Sequence, residues 1–269
     1  MDNFDIKDWY IWSYQEYTGL FNMTADEWLS RQLGKWLDRP VLRFFGWQPY
    51  CVSLGYHQKT EEIDLDRCEE ASVHVVRRPT GGRAIFHSEE LTYSVIYPFE
   101  KVELSDFYRL VHLPFVKALN ELEIPATFNS AQIDFRNFYR KDKSAACFAI
   151  AAKYEVEIDR RKLIGSAQRV FENSILQHGS LLLGKRHAQL VHFLNVAEEK
   201  RKILREYIEK NTAFVWQYNP EIMASKLAEK VQEYFSRLFD IRFTPFKINL
   251  ASKKDFMGIL EKSGLKVLN

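Results

Sequence analysis

Apolar residues recur at helical spacing in "NMTADEWLSRQLGKWL" (22–37): Met23, Trp28, Leu29, Leu33, Trp36 and Leu37. Asn22 or Thr24 is placed to cap this helix, with Asp26 and Glu27 in its first turn. Two strand-like runs follow Pro40, "VLRFFGW" (41–47) and "PYCVSLGY" (49–56), the second closed by the polar "HQKTEE". "DLDRCEEAS" (64–72) reads as a short helix leading into the β-branched run "VHVVRR" (73–78). In "ELTYSVIYP", Thr92, Ser94 and Ile96 alternate with Tyr93, Val95 and Tyr97, the period of a two-faced strand. "SDFYRLVHLPFVKALNELEI" (105–124) predicts a helix capped by Ser105, with Pro114 kinking it or dividing it in two.

Further along, "KYEVEIDRRKLIGSAQRVF" has the pattern of a hairpin: out over Tyr154 to Ile158, a turn at Asp159 to Arg161, and back from Leu163. "ILQHGSLLL" (175–183) adds a strand. The texture turns helical over 219–239, followed by a strand-like "IRFTPF" and a short helix near 252–263. No Pro/Gly/Ser-rich linker and no repeat interrupts the chain. Strands mixed with helices, without regular βαβ alternation, predict one α+β domain and argue against a Rossmann or barrel design. The boundaries are a core over 1–215 and a C-terminal helical extension over 216–269, packed on that core.

Composition narrows the function classes. A formal net charge of +2 over 269 residues gives no general attraction for polyanions, so no nucleic-acid partner is expected. No apolar run reaches bilayer-spanning length, so no membrane partner is expected either. The N-terminus lacks the layout of a signal peptide, and the three cysteines form no CxxC pair, which fits free thiols in a reducing cytoplasm. Cys51, inside an apolar strand pattern, reads as buried and inert, and Cys68, on a charged helix, as surface or half-buried. The seven histidines show no HxH or HExxH spacing, so no metal is assigned, and neither GxxxxGK[ST] nor GxGxxG is present.

Three stretches carry candidate chemistry. "RRPTGGRAIFH" (77–87) joins two strands through a glycine pair with Arg77, Arg78, Arg83 and His87 around it. Glycines let successive backbone N–H groups turn toward a ligand, forming a concavity for an anion or carbonyl oxygen; a basic hairpin turn is the plainer alternative. "DRRKLIGSAQR" places three cations on a hairpin tip ahead of Gly165 and Ser166, and "QHGSLLL" puts Gln177, His178 and Gly179 where a strand is usually apolar. Cys147 follows the cation-rich "RKDKSAA"; small neighbours and nearby cations favour an accessible thiolate, while "AACFAIAA" equally suits a buried core cysteine. Composition leaves those two states of Cys147 open.

"VVRRPTGGRAIFHSEELTYSV" resembles the signature of the biotin/lipoate protein ligase superfamily, and its "GGR" resembles the octanoyltransferase branch, because lipoate ligases more often carry a third glycine where Arg83 stands. "NMTADEWL", "VLRFFGWQPYCVSLGYHQ", "SAACFAIAAKYEVEIDRRKLIGSAQRV" and "LQHGSLLL" resemble further family motifs in the family order, across roughly residues 20–185. The resemblance implies a mixed, mostly antiparallel sheet flanked by helices. Its octanoyl-[acyl carrier protein]:protein N-octanoyltransferases form an acyl thioester on a cysteine that corresponds to Cys147, beside a lysine that corresponds to Lys162. By the same resemblance the substrate site takes Arg78, Thr80, Gly81, Gly82, Arg83 and His87 from the first motif and Tyr93 from the strand after it. Gly165, Ser166 and Ala167 join from the second motif, and Gln177, His178 and Gly179 from the third. The implied donor is octanoyl-acyl carrier protein. The implied acceptor is a lysine on a lipoyl-type domain, of a glycine-cleavage H protein or a dehydrogenase E2. No cofactor is implied, since the thioester carries its own activation. An ATP-dependent lipoate–protein ligase and a non-catalytic lipoyl-domain or acyl-binding member are the alternatives; a biotin ligase lacks support because no GRGRxG-type loop is present. The family usually has glycine where Arg160 stands, so a hairpin turn of different type is expected here.

Overall fold

The computed structural model describes residues 3–128, 155–247 and Phe256, and Cys147 lies outside them. The first half of the chain forms β1 (Asp8–Tyr17), α1 (Gly19–Gln32), β2 (Val41–Trp47), β3 (Cys51–Leu54), α2 (Leu65–Glu70) and β4 (His74–Arg77). Then come β5 (Ile85–His87), β6 (Glu90–Pro98), α3 (Leu104–Glu121) and β7 (Thr127–Phe128). The second half adds β8 (Val156–Ile158), β9 (Arg161–Val170), β10 (Ser174–Leu182), α4 (Glu198–Asn211), α5 (Ala224–Phe239) and β11 (Arg242–Pro245). Eight strands make one sheet in the order β11-β1-β2-β6-β10-β9-β8-β7, and β4-β3-β5 make a second, smaller one. Pairing is antiparallel from β2 through to β7 and parallel on both sides of β1, so the expected mixed, mostly antiparallel sheet is present.

Alternation divides the large sheet into two faces. On one, Leu42, Phe44, Tyr93, Val95, Ile175 and Leu181 pack with Phe107, Val111 and Phe115 of α3 and Val231 and Phe235 of α5. On the other, Val41, Ile96 and Leu176 pack with Trp28 and Leu29 of α1. Each such large apolar side chain contributes about 1.5–3 kcal/mol on full burial. The first strand escaped the sequence pattern; Phe4, Trp9 and Ile11 are buried, and β11 returns to pair with β1 from Asp8↔Arg242 onward.

Several elements differ from the sequence expectation. The first helix starts at Gly19, where Thr18 Oγ1 accepts from the Phe21 amide, so the cap is neither Asn22 nor Thr24. Asn22 instead donates from Nδ2 to the Gly46 carbonyl at 2.9 Å, inside the fold. Helix α3 runs unbroken past Pro114 and takes in Ser105, with Glu103 at the cap position. A proline in mid-helix costs about 3 kcal/mol; the buried face of Phe107, Leu110, Val111, Phe115 and Leu119 outweighs it. Cys68 is buried rather than at the surface, because α2 faces Val73, Val75 and Phe193. The hairpin turn has two residues at its tip: Asp159 and Arg160 both take positive φ, 50° and 61°, between paired Ile158 and Arg161. That is the two-residue turn matched to strand twist, with arginine accepting the left-handed conformation. Of the helix expected near 252–263, only Phe256 lies within the described residues.

Candidate active site

The "RRPTGGR" loop joins β4 to β5, and its cations turn into the protein. Arg77 Nη1 donates to the carbonyls of Gly55 (2.8 Å) and Gln58 (2.6 Å). Arg78 donates to the carbonyls of Ser53 (3.0 Å), Gly81 (2.9 Å) and Arg83 (2.7 Å). Arg83 pairs with Glu62 at 3.1 Å. The crowding of positive charge therefore braces the loop from within.

What the bracing leaves outside is backbone amide. The Pro79 carbonyl accepts from Arg169 Nη1 (2.7 Å), and the Thr80 carbonyl from the Tyr56 amide (2.8 Å). Those of Gly81 and Arg83 face Arg78, and Gly82 O lies so close to Gly55 that a Cβ there would be 1.9 Å away. Gly82 has φ +97°, which glycine adopts without strain. Among the described residues the amides of Gly81 and Gly82 donate no hydrogen bond, and a Cβ on Gly81 would meet nothing within 4 Å. Both glycines are exposed. With the carbonyls taken up by the protein, these two exposed amides remain as donors for a carbonyl oxygen or anion, which makes the loop a candidate cradle.

Beneath the cradle, on the α1 face, lies a chain of buried polar groups. Thr80 Oγ1 is 2.6 Å from His178 Nε2, and His178 Nδ1 is 2.9 Å from Asp26 Oδ2. Asp26 also pairs with the fully buried Arg43 at 2.9 Å and accepts from Ser94 Oγ at 2.8 Å. Burial pushes the His178 pKa down, and Arg78 and His87 add to this against the opposing pull of Asp26. The neutral ring then donates from Nδ1 to the carboxylate and accepts the Thr80 hydroxyl proton at Nε2. A second cluster lies alongside. His87 stacks on Trp47 (3.9 Å between centroids), with Nε2 2.7 Å from Ser53 Oγ and Nδ1 2.8 Å from Glu90. Burial alone raises the Glu90 pKa, but His87 and the hydroxyls of Thr92 and Ser180 hold the carboxyl below the usual range.

The residues expected to form one substrate site are divided by the large sheet. Gly165 pairs with Ser180 and Ala167 with His178, so these belong to the face of Thr80 and His87. Ser166 pairs with Gly179 on the opposite face, where Tyr93 Oη lies 2.7 Å from Ser166 Oγ, 2.9 Å from His112 Nε2 and 3.1 Å from Gln177 Nε2. Gly179 is needed there, since a Cβ would come within 2.2 Å of Ser166 Oγ. Lys162 stands three residues before Gly165 on β9, buried, with Nζ 2.7 Å from Glu155 Oε1. Cys147 lies outside the described residues.

Asp26 was read only as a first-turn acid of a helix that in fact begins at Gly19, and Arg43, Glu90, His112 and Glu155 were not singled out in the sequence. Arg43 had a usable signal: a charge inside the apolar run "VLRFFGW" needs a buried partner, and an acidic residue on a helix with Trp28 and Leu29 supplies one. His112 and Glu155 carried none.

Among the described residues no group of three or more His, Cys, Asp or Glu is arranged to hold a metal ion, and no helix is long and apolar enough to cross a membrane. Residues 18–236 match the lipoyl protein ligase A/B catalytic domain. Octanoyltransferase LipM of Macrococcus caseolyticus is 30% identical over 264 residues, covering 95% of this chain and 96% of that protein. Octanoyltransferase LipM of Clostridioides difficile is 40% identical over 184 residues, 66% of each. Among solved structures, one described as a bipartite lipoate protein ligase and its E2 lipoyl domain from Thermoplasma acidophilum superimposes with a TM-score of 0.77 at 20% identity over 96% of this chain and 93% of that one. Lipoate-protein ligase A bound with ATP superimposes with a TM-score of 0.76 at 21% identity over 95% of each, and both likenesses concern the fold. With that domain matched over most of its length and a 30% identical relative matched nearly end to end, the chain belongs to the lipoyl protein ligase A/B catalytic domain family, beside the octanoyltransferases.

Proposed function

We propose that the protein takes an octanoyl group from octanoyl-acyl carrier protein onto Cys147 and passes it to a lysine of a lipoyl-type acceptor domain. The relatives named octanoyltransferase supply the reaction class. The observation that supports the mechanism is the amide pair of Gly81 and Gly82, exposed and donating no hydrogen bond among the described residues, which leaves two donors for the oxygen of an acyl group under attack. In the first step the Cys147 thiolate attacks the donor thioester, its carbonyl oxygen takes up negative charge, and the carrier's thiolate leaves. Thioester exchange is close to neutral in energy, so the acyl group is stored without ATP. In the second step the acceptor's neutral amine attacks, an amide forms, the Cys147 thiolate leaves, and the surplus proton on nitrogen passes to solvent. Lys162 supports the thiolate and polarises the acyl carbonyl. The acceptor class is supported by the description of the Thermoplasma ligase, which names an E2 lipoyl domain as its own.

The test is an intact-mass measurement after incubation with octanoyl-acyl carrier protein. The expected result is an octanoyl adduct that hydroxylamine removes and that Cys147→Ser lacks. A protein that stays unmodified, yet octanoylates its acceptor when given ATP and free octanoate, would be a ligase instead.

A further inference from the structure

Lys162, which the proposed transfer uses, stands on the large sheet, whereas the diglycine loop is carried by the small one. Transfer requires the two parts at a fixed separation, so the contacts that join them decide the geometry. Arg78 and Tyr56 cannot set it, because both follow strands of the small sheet and travel with the loop. The loop itself is tied to the large sheet by Arg169 on β9, at the Pro79 carbonyl, and by His178 on β10, at Thr80 Oγ1, while His87 of β5 joins the small sheet below it to Glu90 at 2.8 Å. Arg169 is partly exposed, whereas His178 and Thr80 are 6% and 1% exposed.

The buried contact is backed to a depth that a simple tether does not need. His178 Nδ1 meets Asp26, Asp26 meets Arg43 and Ser94, and Phe45 lies under the Arg43 guanidinium at 3.9 Å. A carboxylate accepts and does not donate, so Asp26 fixes the ring proton on Nδ1 and leaves the Nε2 lone pair facing Thr80. Both ring nitrogens are thereby occupied within the protein, which removes His178 from the groups free to bind substrate directly.

We propose that Asp26 and His178 are positioning residues: through Thr80 Oγ1 they hold the diglycine loop at the distance from the large sheet that lets the Gly81 and Gly82 amides meet the reacting carbonyl. The hold on the loop stands on geometry alone; its consequence for acyl transfer rests on the reading given under Proposed function. Displacing donors of this kind by about 1 Å costs roughly a hundredfold in rate.

Thr80→Val tests the chain where it ends, since it replaces the hydroxyl by a methyl group of similar size and leaves the buried Asp26–Arg43 pair intact. The expected result is a fall in kcat for octanoyl transfer of roughly ten- to hundredfold with KM for the acceptor little changed. The backbone order parameters of Gly81 and Gly82 fall from about 0.85 to below about 0.6 in the same variant. Thr80→Ser, which keeps the hydroxyl, restores both. Nitrogen-15 shifts of the His178 ring in the wild-type protein report the neutral Nδ1–H tautomer at neutral pH. An unchanged kcat or unchanged order parameters in Thr80→Val, or the Nε2–H tautomer in the wild type, overturns the proposal. A wild-type protein that transfers no octanoyl group sinks the transferase reading instead, and the order parameters and tautomer then still decide whether the chain holds the loop.

Discussion

Glu155 Oε1 lies 2.7 Å from Lys162 Nζ, and both side chains are buried. Removing one partner of such a pair typically costs 3–5 kcal/mol, because the other is left charged in a poor solvent. Lys162→Ala is therefore expected to lower stability by about that amount, and a loss of transfer in this variant mixes folding with chemistry. The double variant Lys162→Met/Glu155→Met removes both charges together and is expected to recover most of the stability. Its transfer rate is expected to remain roughly a hundredfold or more below wild type. Urea unfolding and single-turnover transfer, measured side by side, separate the two effects. A stable double variant with near-normal transfer would remove Lys162 from the chemistry.

The diglycine cradle makes opposite predictions for two glycines a few ångströms apart. A methyl group on Gly55 would strike the backbone carbonyl of Gly82, which no rotamer change can relieve. Gly55→Ala is expected to cost about 1–3 kcal/mol, read as a lowered unfolding midpoint, and to lose transfer with it. At Gly81 a methyl group meets nothing and φ is not positive, so Gly81→Ala should leave stability within about 0.5 kcal/mol of wild type. If a substrate carbonyl approaches that open side, the same variant loses transfer roughly tenfold or more. Full activity in Gly81→Ala would place the reacting group elsewhere.

These glycines also mark how far the sequence could be read. A turn rich in glycine, proline and arginine between two strands was legible, and so were its place in the chain and the strands of strong alternation around it. The direction of the arginines was not. Arg77 and Arg78 end up on carbonyls of their own neighbourhood, and which donor meets which carbonyl depends on tertiary approach, not on spacing. The same limit hid Asp26 and Glu155, whose partners Arg43 and Lys162 are 17 and 7 residues away. It also hid the division of "GSAQ": strand period puts Ser166 and Ala167 on opposite faces, but only pairing with β10 shows that Ala167 faces His178 and Ser166 faces Tyr93. Strand β1 was missed because the pattern of "DWYIWSYQEY" shows its alternation only once β2 and β11 flank it.

Arg160 offers a test on stability alone. Its φ of 61° places a β-carbon-bearing residue in the left-handed region, at about 1–2 kcal/mol against the right-handed one. Glycine escapes that strain but loses more chain entropy on folding, by roughly 0.5–1 kcal/mol. Arg160→Gly is therefore expected to stabilise the protein by about 0.5–1 kcal/mol, seen as a higher denaturant midpoint with an unchanged slope. A lower midpoint would mean that the Arg160 side chain makes a contribution that the turn geometry does not reveal.

Acid sensitivity follows from two buried imidazoles. Burial lowers the pKa of both His178 and His187 from 6.5 in the folded state. Below pH 6.5 the unfolded chain takes up protons that the folded rings refuse. Folding stability is then lost as pH falls from 6.5 toward the folded values, by up to about 1.4 kcal/mol per pH unit for each ring. Around His178 the facing charges are Asp26, which favours the protonated form, and Arg78 and His87, which oppose it. Glu90 acts at lower pH: its pKa is held below 4.5, so its contribution is complete above 4.5 and disappears as pH drops through the folded value. Urea midpoints at constant salt should therefore be level above about pH 7.5, fall as pH drops below 6.5, and fall again below 4.5. His187→Gln, which keeps a hydrogen-bonding group near Thr212, should reduce the slope of the first decline and leave the second in place. Midpoints that hold constant from pH 7 to pH 5 would falsify the neutral, buried state assigned to both rings.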